Sequence, residues 1–374
     1  MISRPERFLR RVGAMAAKEV LHIQRDPRTL YMALGMPVIM LMLLGFGLSF
    51  DIERIPLLLA DGDRSAASRE LARSLLGSHE LAAVDGSDAS AAETALRRGQ
   101  AMAALVIPAG FERELLAGRD SPVQLLVDGS DGNMARQIMG KVDAIVRAAS
   151  QRRAGFAASP PLGVKVYTLW NPAGRSALFM VPGVAAYLLA IAAVLLTALT
   201  IAAEWERGSM EQLFASPVGR LEIVLGKLLP YLALGMLQLL LVITLGTTVF
   251  DVPIRGSLPV IFLAGLFFLA AMLGQGLFIS VIARNQLVAT QAGALSSLLP
   301  SLLLSGMLVP IENMPRILQV LSSVIPARYF VHAMRGIMLK GSGLSILWGD
   351  LVALTIFALA ILALATARFR RRLA

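Results

Sequence analysis

Cysteine is absent from this chain, and histidine occurs only at His22, His79 and His332, far apart in sequence. The first absence excludes disulfides, thiolate metal sites and thiol nucleophiles, though it does not fix the compartment. The second argues against a metal site built from imidazoles. Charge is scarce too. Asp, Glu, Lys and Arg make up 16% of the 374 residues, against about 25% in an ordinary soluble domain. Apolar residues fill the space, at 56% with a mean hydropathy of +0.69. The formal charge of +10 suits either nucleic acid or a membrane surface. The hydropathy favours the membrane, and no nucleic-acid partner is expected.

A helix needs about 20 mostly apolar residues to cross a bilayer. Such runs lie at 30–50, 178–203, 228–250, 258–283, 287–309 and 347–367; the first five contain no Asp, Glu, Lys, Arg or His, and the last holds only Asp350, near its start. The expected fold is therefore a polytopic α-helical membrane protein with six transmembrane helices. Spacings such as Gly274-x-Gly276 would let helices approach closely. With the N-terminus inside, the short inner segments (1–29, 204–227, 284 and 368–374) hold fifteen Lys and Arg, and the short outer ones hold five. That asymmetry predicts cytoplasmic termini and a cytoplasmic 204–227 segment. The first 29 residues have Phe8, Val12, Ala16, Val20 and Ile23 at helical spacing with basic residues around them. They read as an interface helix followed by an uncleaved first span.

Between the first two spans, residues 51–177 read as an α/β domain facing outward. "IPLLLA", "ALVIP" and "VQLLVDG" look like buried strands, alternating with helices near 65–77, 90–99, 110–118 and 133–154. Asp61-Gly62-Asp63 and the run from Asp128 to Asn133 invite a calcium reading. The second fails EF-hand spacing, because Met139 stands at the twelfth position. Asx turns and helix caps account for both better, and no metal site or catalytic constellation is expected.

The stretch "EWERGSMEQLFASPVGRLEIVLGK" (204–227) carries charge where the flanking runs avoid it. A stop-transfer role explains Glu204 to Arg207 but leaves 208–227 without an account. Ser209-x-x-Gln212 has capping-box spacing, and Met210, Leu213, Phe214 and Pro217 would share one face of a two-turn helix. So short a helix is marginal alone in water and needs a partner surface. Gly226-Lys227 is the nearest thing to a phosphate loop. It lacks the G-x-x-x-x-G-K-[ST] spacing and borders a span, so any ATP must be handled by another chain.

At these residues the chain resembles the permease subunit of ABC exporters of the ABC-2 type, in the bacterial multidrug branch with a large extracytoplasmic domain. The likeness runs through "KEVLHIQRDPRTL" (18–30), "LLLADGDRSAASRELARSL" (57–75), "ALVIPAGFERELLAGRDSPVQLLVDGSDGNMA" (104–135), "LWNPAGRSALFMVPG" (169–183), 204–231 and "IPARYFVHAMRGIMLKG" (325–341). The resemblance implies two such subunits in the bacterial inner membrane, driven by a cytoplasmic ATP-binding cassette pair that holds ATP and Mg. The second permease would be identical or a paralogue, and relatives often work with a periplasmic adaptor protein.

It further implies that the loop after the second span is a coupling helix docking on the ATPase, carried here by Glu204, Glu206, Arg207, Gly208, Ser209, Glu211 and Pro217. Residues 308–345 would form re-entrant helices on the outer side, ahead of the last span and the basic tail 368–374. Few polar groups lie along the spans. Gln238, Gln275 and Gln291 are the candidate substrate path, and the cargo is expected to be hydrophobic or amphipathic. Two other classes compete. An ion-coupled secondary transporter would need ionisable groups near mid-membrane, at roughly 2.5–3.5 kcal/mol each on insertion scales. A sensor or scaffold with an outer ligand-binding domain would need an inner output domain.

Overall fold

The computed structural model describes residues 4–47, 55–78, 81–84, 89–98, 100–119, 123–128, 132–153, 175–209 and 217–368. The chain divides into a helical unit, Met1–Ser49 with Thr168–Ala374, and an α/β unit, Phe50–Tyr167.

The α/β unit has strands β1 (Ile55–Asp61), β2 (Leu81–Val84), β3 (Ala103–Ile107) and β4 (Gln124–Val127) in the order β2-β1-β3-β4. The first three are mutually parallel and β4 runs antiparallel to β3. Both faces of β1 are covered, which is why its sequence is continuously apolar rather than alternating. Ile55 and Leu57 face a core completed by α3 (Ala66–Leu76), α5 (Phe111–Leu116) and α6 (Gly132–Arg153). Leu58 and Ala60 face Ala92 and Ala95 of α4 (Ala89–Arg97) on the other side. Strand β2, "LAAV", has too short and Ala-rich a sequence to announce itself.

The carboxyl ends of β1 and β3 form the switch point where open α/β sheets usually bind ligands. Here the protein's own carboxylates fill it. Asp61 accepts from the backbone N–H groups of Asp63 (3.0 Å) and Arg64 (2.9 Å) and from the Ser68 hydroxyl (2.7 Å). Asp63 accepts from the N–H groups of Gly110 (2.7 Å) and Glu112 (3.0 Å) at the start of α5, and Glu112 accepts from Ala67 N–H in α3. These are capping interactions, and among the described residues no group of acids or histidines is placed to hold a metal.

In the helical unit, α1 (Arg4–Arg25) is followed by α2 (Pro27–Gly47), whose turn at Tyr31–Gly35 is π-helical. Asp26 caps the start of α2 by accepting from Arg28 N–H. Then come α7 (Ser176–Glu206), α8 (Arg220–Thr248), α9 (Leu258–Ala283) and α10 (Gln286–Leu303). A bent pair comes next, α11 (Arg316–Ser322) and α12 (Pro326–Lys340, with a π-helical last turn), at 88° to each other. Last is α13 (Leu344–Arg368).

Five helices (α2, α7, α8, α9, α13) are long and apolar enough to cross a membrane, or six crossings if the bent pair counts as one. The expected span at 287–309 does not take that form. Its helix α10 stops at Leu303 after 18 residues. Two glutamines, three serines and a proline hold its hydropathy down, and the chain bends away through 304–309. The outward sides of α2 and α13 carry Ile39, Leu43, Phe46, Trp348, Ile356 and Leu359 in the open. Apolar faces of that extent belong against lipid rather than water, and the chain is a multi-pass membrane protein.

Helix α7 is the hub, packed on α2, α8, α9, α10 and α12. Its buried side is rich in alanine (Ala185, Ala186, Ala190, Ala193, Ala198), so neighbours approach closely. A Cβ on Gly276 of α9 would lie 2.3 Å from Val194 O and 2.2 Å from Thr197 Oγ1. At that crossing the Thr197 hydroxyl donates to Leu273 O (2.9 Å), and Ser280 Oγ accepts from the N–H groups of Ile201 and Ala202. Near the opposite end of α7, Arg335 donates to three carbonyls, Phe179 (3.1 Å), Gly306 (2.8 Å) and Met307 (3.1 Å), with its guanidinium 3.5 Å over the Phe179 ring.

Gly276→Ala forces backbone apart and is expected to cost about 1–3 kcal/mol, read as a lowered Tm of the detergent-solubilised protein. Gly349→Ala, where a Cβ meets nothing within 4 Å, should leave Tm unchanged. In the α/β unit, hydrogen bonds from Ser65 and then from the Glu112, Gly110 and Phe111 N–H groups hold the Asp63 carboxyl below the ordinary carboxylate range. A carboxyl lowered on folding stabilises the fold above its unfolded pKa, about 3.9, and that stability disappears as pH falls through the lowered value. Hydrogen exchange of peptides from 55–127, corrected for intrinsic pH dependence, should lose protection in that acid window. Asp63→Asn should lower protection at neutral pH and flatten the acid loss.

Candidate functional site

Helix α7 ends in Glu204-Trp205-Glu206, which sets two carboxylates at the negative end of a helix dipole. Each must find a positive partner outside the helix. Glu204 Oε1 accepts from the Lys227 ammonium of α8 at 3.0 Å and from Lys18 of α1 at 3.2 Å. Lys227 also donates to Glu19 of α1 at 2.7 Å. Glu206 turns the other way, accepting from the backbone N–H of Gln286 at 2.8 Å and from its side chain, at the start of α10. That N-terminus presents free N–H groups to a carboxylate. Arg284, just before α10, lies 4.7 Å over the Trp205 ring.

The cluster is buried where it matters. The Lys227 side chain is 2% exposed, Glu19 4% and Glu204 13%. An ammonium taken out of water at this depth persists only with close counter-charges, and two carboxylates supply them. Glu204 Oε2 is buried with no hydrogen-bond partner among the described residues. A second pair secures the first turn of α8: Glu222 accepts from Gly219 N–H at 2.6 Å and lies 3.5 Å from Arg11 of α1. Gly226 allows the contact, since a Cβ there would meet Met15 of α1 at 2.5 Å. Thus α1, the last turn of α7, the first turns of α8 and the start of α10 are fastened together by charge.

The face of α1 turned to the helical unit runs through Val12, Met15, Glu19 and Ile23, so an acid sits among its apolar residues, while Val20 is 40% exposed. Sequence reasoning missed Glu19 and Lys227 as a pair. The available signal was a lone acid on an amphipathic stripe, together with a lone lysine at the head of a span.

Of the expected coupling residues, Glu204 and Glu206 are in the cluster. Arg207 closes α7 by donating its N–H to Ala203 O, and Gly208, at φ +70°, turns the chain out of the helix in a conformation that favours glycine. The Ser209 hydroxyl donates to Glu204 O at 3.3 Å. Pro217 precedes α8. Glu211, with Met210, Gln212, Leu213 and Phe214 of the expected short helix, lies outside the described residues. The three glutamines assigned to a path are dispersed. Gln238 is buried in α8 with its amide nitrogen unpartnered among the described residues. Gln275 of α9 donates to the Ser296 hydroxyl of α10 at 3.1 Å, and Gln291 is exposed on α10.

The family described as "ABC-2 family transporter protein" matches residues 27–367. The chain belongs to the ABC-2 transporter family. It is 33% identical, over the full length of both chains, to a probable multidrug ABC transporter permease of Escherichia coli K12, YbhS. It is 28% identical to a second such permease, YbhR, over 97% of this chain and 99% of that one. An inner membrane transport permease of the same organism, YhhJ, is 29% identical over 86% of each. In this ABC-2 protein the charged cluster therefore stands on a permease scaffold.

Removing one partner of the buried cluster strands the others. Lys227→Met leaves Glu19 and Glu204 facing each other and is expected to cost about 3–5 kcal/mol, seen as a lowered Tm in detergent. Adding Glu19→Gln and Glu204→Gln should recover most of the loss, because neutral amides can bond each other. A triple variant no more stable than the single one would contradict the ion-pair account.

Proposed function

We propose that the chain is the membrane subunit of an ATP-driven exporter, and that the Glu19–Lys227–Glu204 cluster carries force from a cytoplasmic ATP-binding subunit into the spans. The observation that carries this reading is the position of the cluster. Its members stand just before the 207–219 connection, two turns into α8 beyond it, and on α1, so a push on that connection reaches α7, α8 and α1 together. A loop tied at one end would dissipate the motion. Through Glu206 and Gln286 the same push reaches α10. The resemblance supplies the rest of the reading: a second permease, identical or paralogous, ATP and Mg on the cassette subunit, an extracytoplasmic place for the α/β unit, and an adaptor beside it. Both termini would face the cytoplasm of a bacterial inner membrane, as the distribution of Lys and Arg indicates.

A hydrophobic or amphipathic cargo suits helices whose polar groups are mostly bonded to one another. An ion-coupled carrier is disfavoured by the same geometry, since the buried charges lie at the helix ends and not at mid-span, where ion relays are built. The test uses the permease co-purified with its ATP-binding subunit and reconstituted in liposomes. Glu206→Ala and Gly208→Pro should cut ATP-dependent export roughly tenfold or more, with subunit association read in parallel by co-purification. Undiminished coupling and export in both variants would remove this end of α7 from the mechanism.

A further inference from the structure

Beside the cluster lies a cleft of about 360 Å³, lined by α1, the start of α2, the end of α7 and the start of α8. Four cations (Lys18, Arg28, Arg207 and Lys227) face three carboxylates (Glu19, Asp26 and Glu204), with His22 also on the wall. Glu19 and Glu204 are engaged by Lys227 and Lys18. Asp26 is engaged in capping, accepting from Arg28 N–H at 3.0 Å and from the Thr29 hydroxyl at 2.7 Å. Two guanidinium groups are left without an ion-pair partner among the described residues. The guanidinium groups of Arg28 and Arg207, both exposed, have no carboxylate within ion-pair distance among the described residues. Behind this cationic mouth the wall is apolar, made by Met32, Leu196, Leu199 and the Tyr231 ring.

Two free guanidinium groups over an apolar wall match an amphiphile with an anionic head. Guanidinium forks pair with phosphate oxygens two at a time, which neither an ammonium nor a solvated surface charge reproduces. We infer that this cleft is a phospholipid site, with the headgroup phosphate between Arg28 and Arg207 and an acyl chain along Leu196, Leu199 and Met32. The level in the membrane agrees. The cleft sits where the apolar length of α7 gives way to Glu204–Arg207 and where α2 begins, which is the depth of headgroups on the α1 side. A free phosphate would meet the same two arginines but would leave the apolar wall bare. A lipid held here touches three of the elements that the charge cluster fastens, and so is placed to stiffen or loosen that joint. The inference rests on the membrane reading of the helices. It requires neither transport nor an ATP-binding partner.

The experiment counts lipid bound to the full-length chain. Protein purified in detergent is titrated with dioleoyl phosphatidylglycerol and the bound lipid is resolved by native mass spectrometry. One tightly held lipid is expected, lost about tenfold more readily in the Arg28→Gln, Arg207→Gln double variant. The Arg28→Lys, Arg207→Lys variant, with charge kept and the fork removed, should fall between. Arg316→Gln on α11 should bind like the unaltered chain. Dioleoylglycerol, with the same chains and no phosphate, should not bind, and millimolar inorganic phosphate should not displace the lipid. Undiminished binding in the glutamine variant would overturn the proposal, as would equal binding of dioleoylglycerol. Displacement by inorganic phosphate would assign the cleft to a soluble anion and overturn the lipid reading. Export assays have no part in this readout, so its failure and that of the transport reading are separable.

Discussion

Burial of one ammonium group sets the conditions for much of the helical unit. Lys227 sits at the head of α8 with almost none of its side chain in water. Its charge is tolerable only while Glu19 and Glu204 stay within 3.0 Å. That requirement brings α1 against α8, fixes the end of α7 beside both, and makes the close approach at Gly226 necessary. A hydrophobic contact of the same area would have held the helices with less demand on geometry. The ionic version permits little sliding, because a shift of an ångström or two leaves buried charge without a partner. Where motion has to pass between elements without loss, a joint of that kind is better suited than a greasy one.

The two units answer the shortage of polar partners in opposite ways. In the α/β unit, carboxylates consume the helix N-termini around β1 and β3, so the crevice usually open to a ligand is closed by Asp61, Asp63 and Glu112. In the helical unit, side-chain hydroxyls do the bonding at the α7–α9 crossing, through Thr197 and Ser280. Small residues there let backbone approach backbone. Packing and polar satisfaction are thus met by the same positions, which leaves little freedom to exchange them.

Most of this architecture was legible from residues alone. The apolar runs named the long helices, and the β-strand runs around Leu57, Leu105 and Leu125 named three of four strands. What escaped did so for identifiable reasons. Strand β2 has four residues and two alanines, too little pattern to read. Helix α10 looked like a longer span because apolar residues continue past Leu303, while the chain itself bends there. On α1 the spacings 12-16-20-23 and 12-15-19-23 both suit a helix. Only the lysine waiting at 227, more than 200 residues away, decides for the second. A long-range charge pair leaves no local periodicity, and that is why nothing nearby in the sequence marks Glu19.

Arg335 sets how the other end of the bundle can open. Its guanidinium is held by three main-chain oxygens, belonging to Phe179 on α7 and to Gly306 and Met307 in the turn after α10, with no acidic side chain among these contacts. Oxygens of the main chain cannot swing away individually as a carboxylate can. Any parting of α7 from that turn must break either the bond to Phe179 or both bonds to the turn, and admit water in their place. One side chain thus clasps three elements at the far end of the bundle, and it has to release at least one of them before that end can widen.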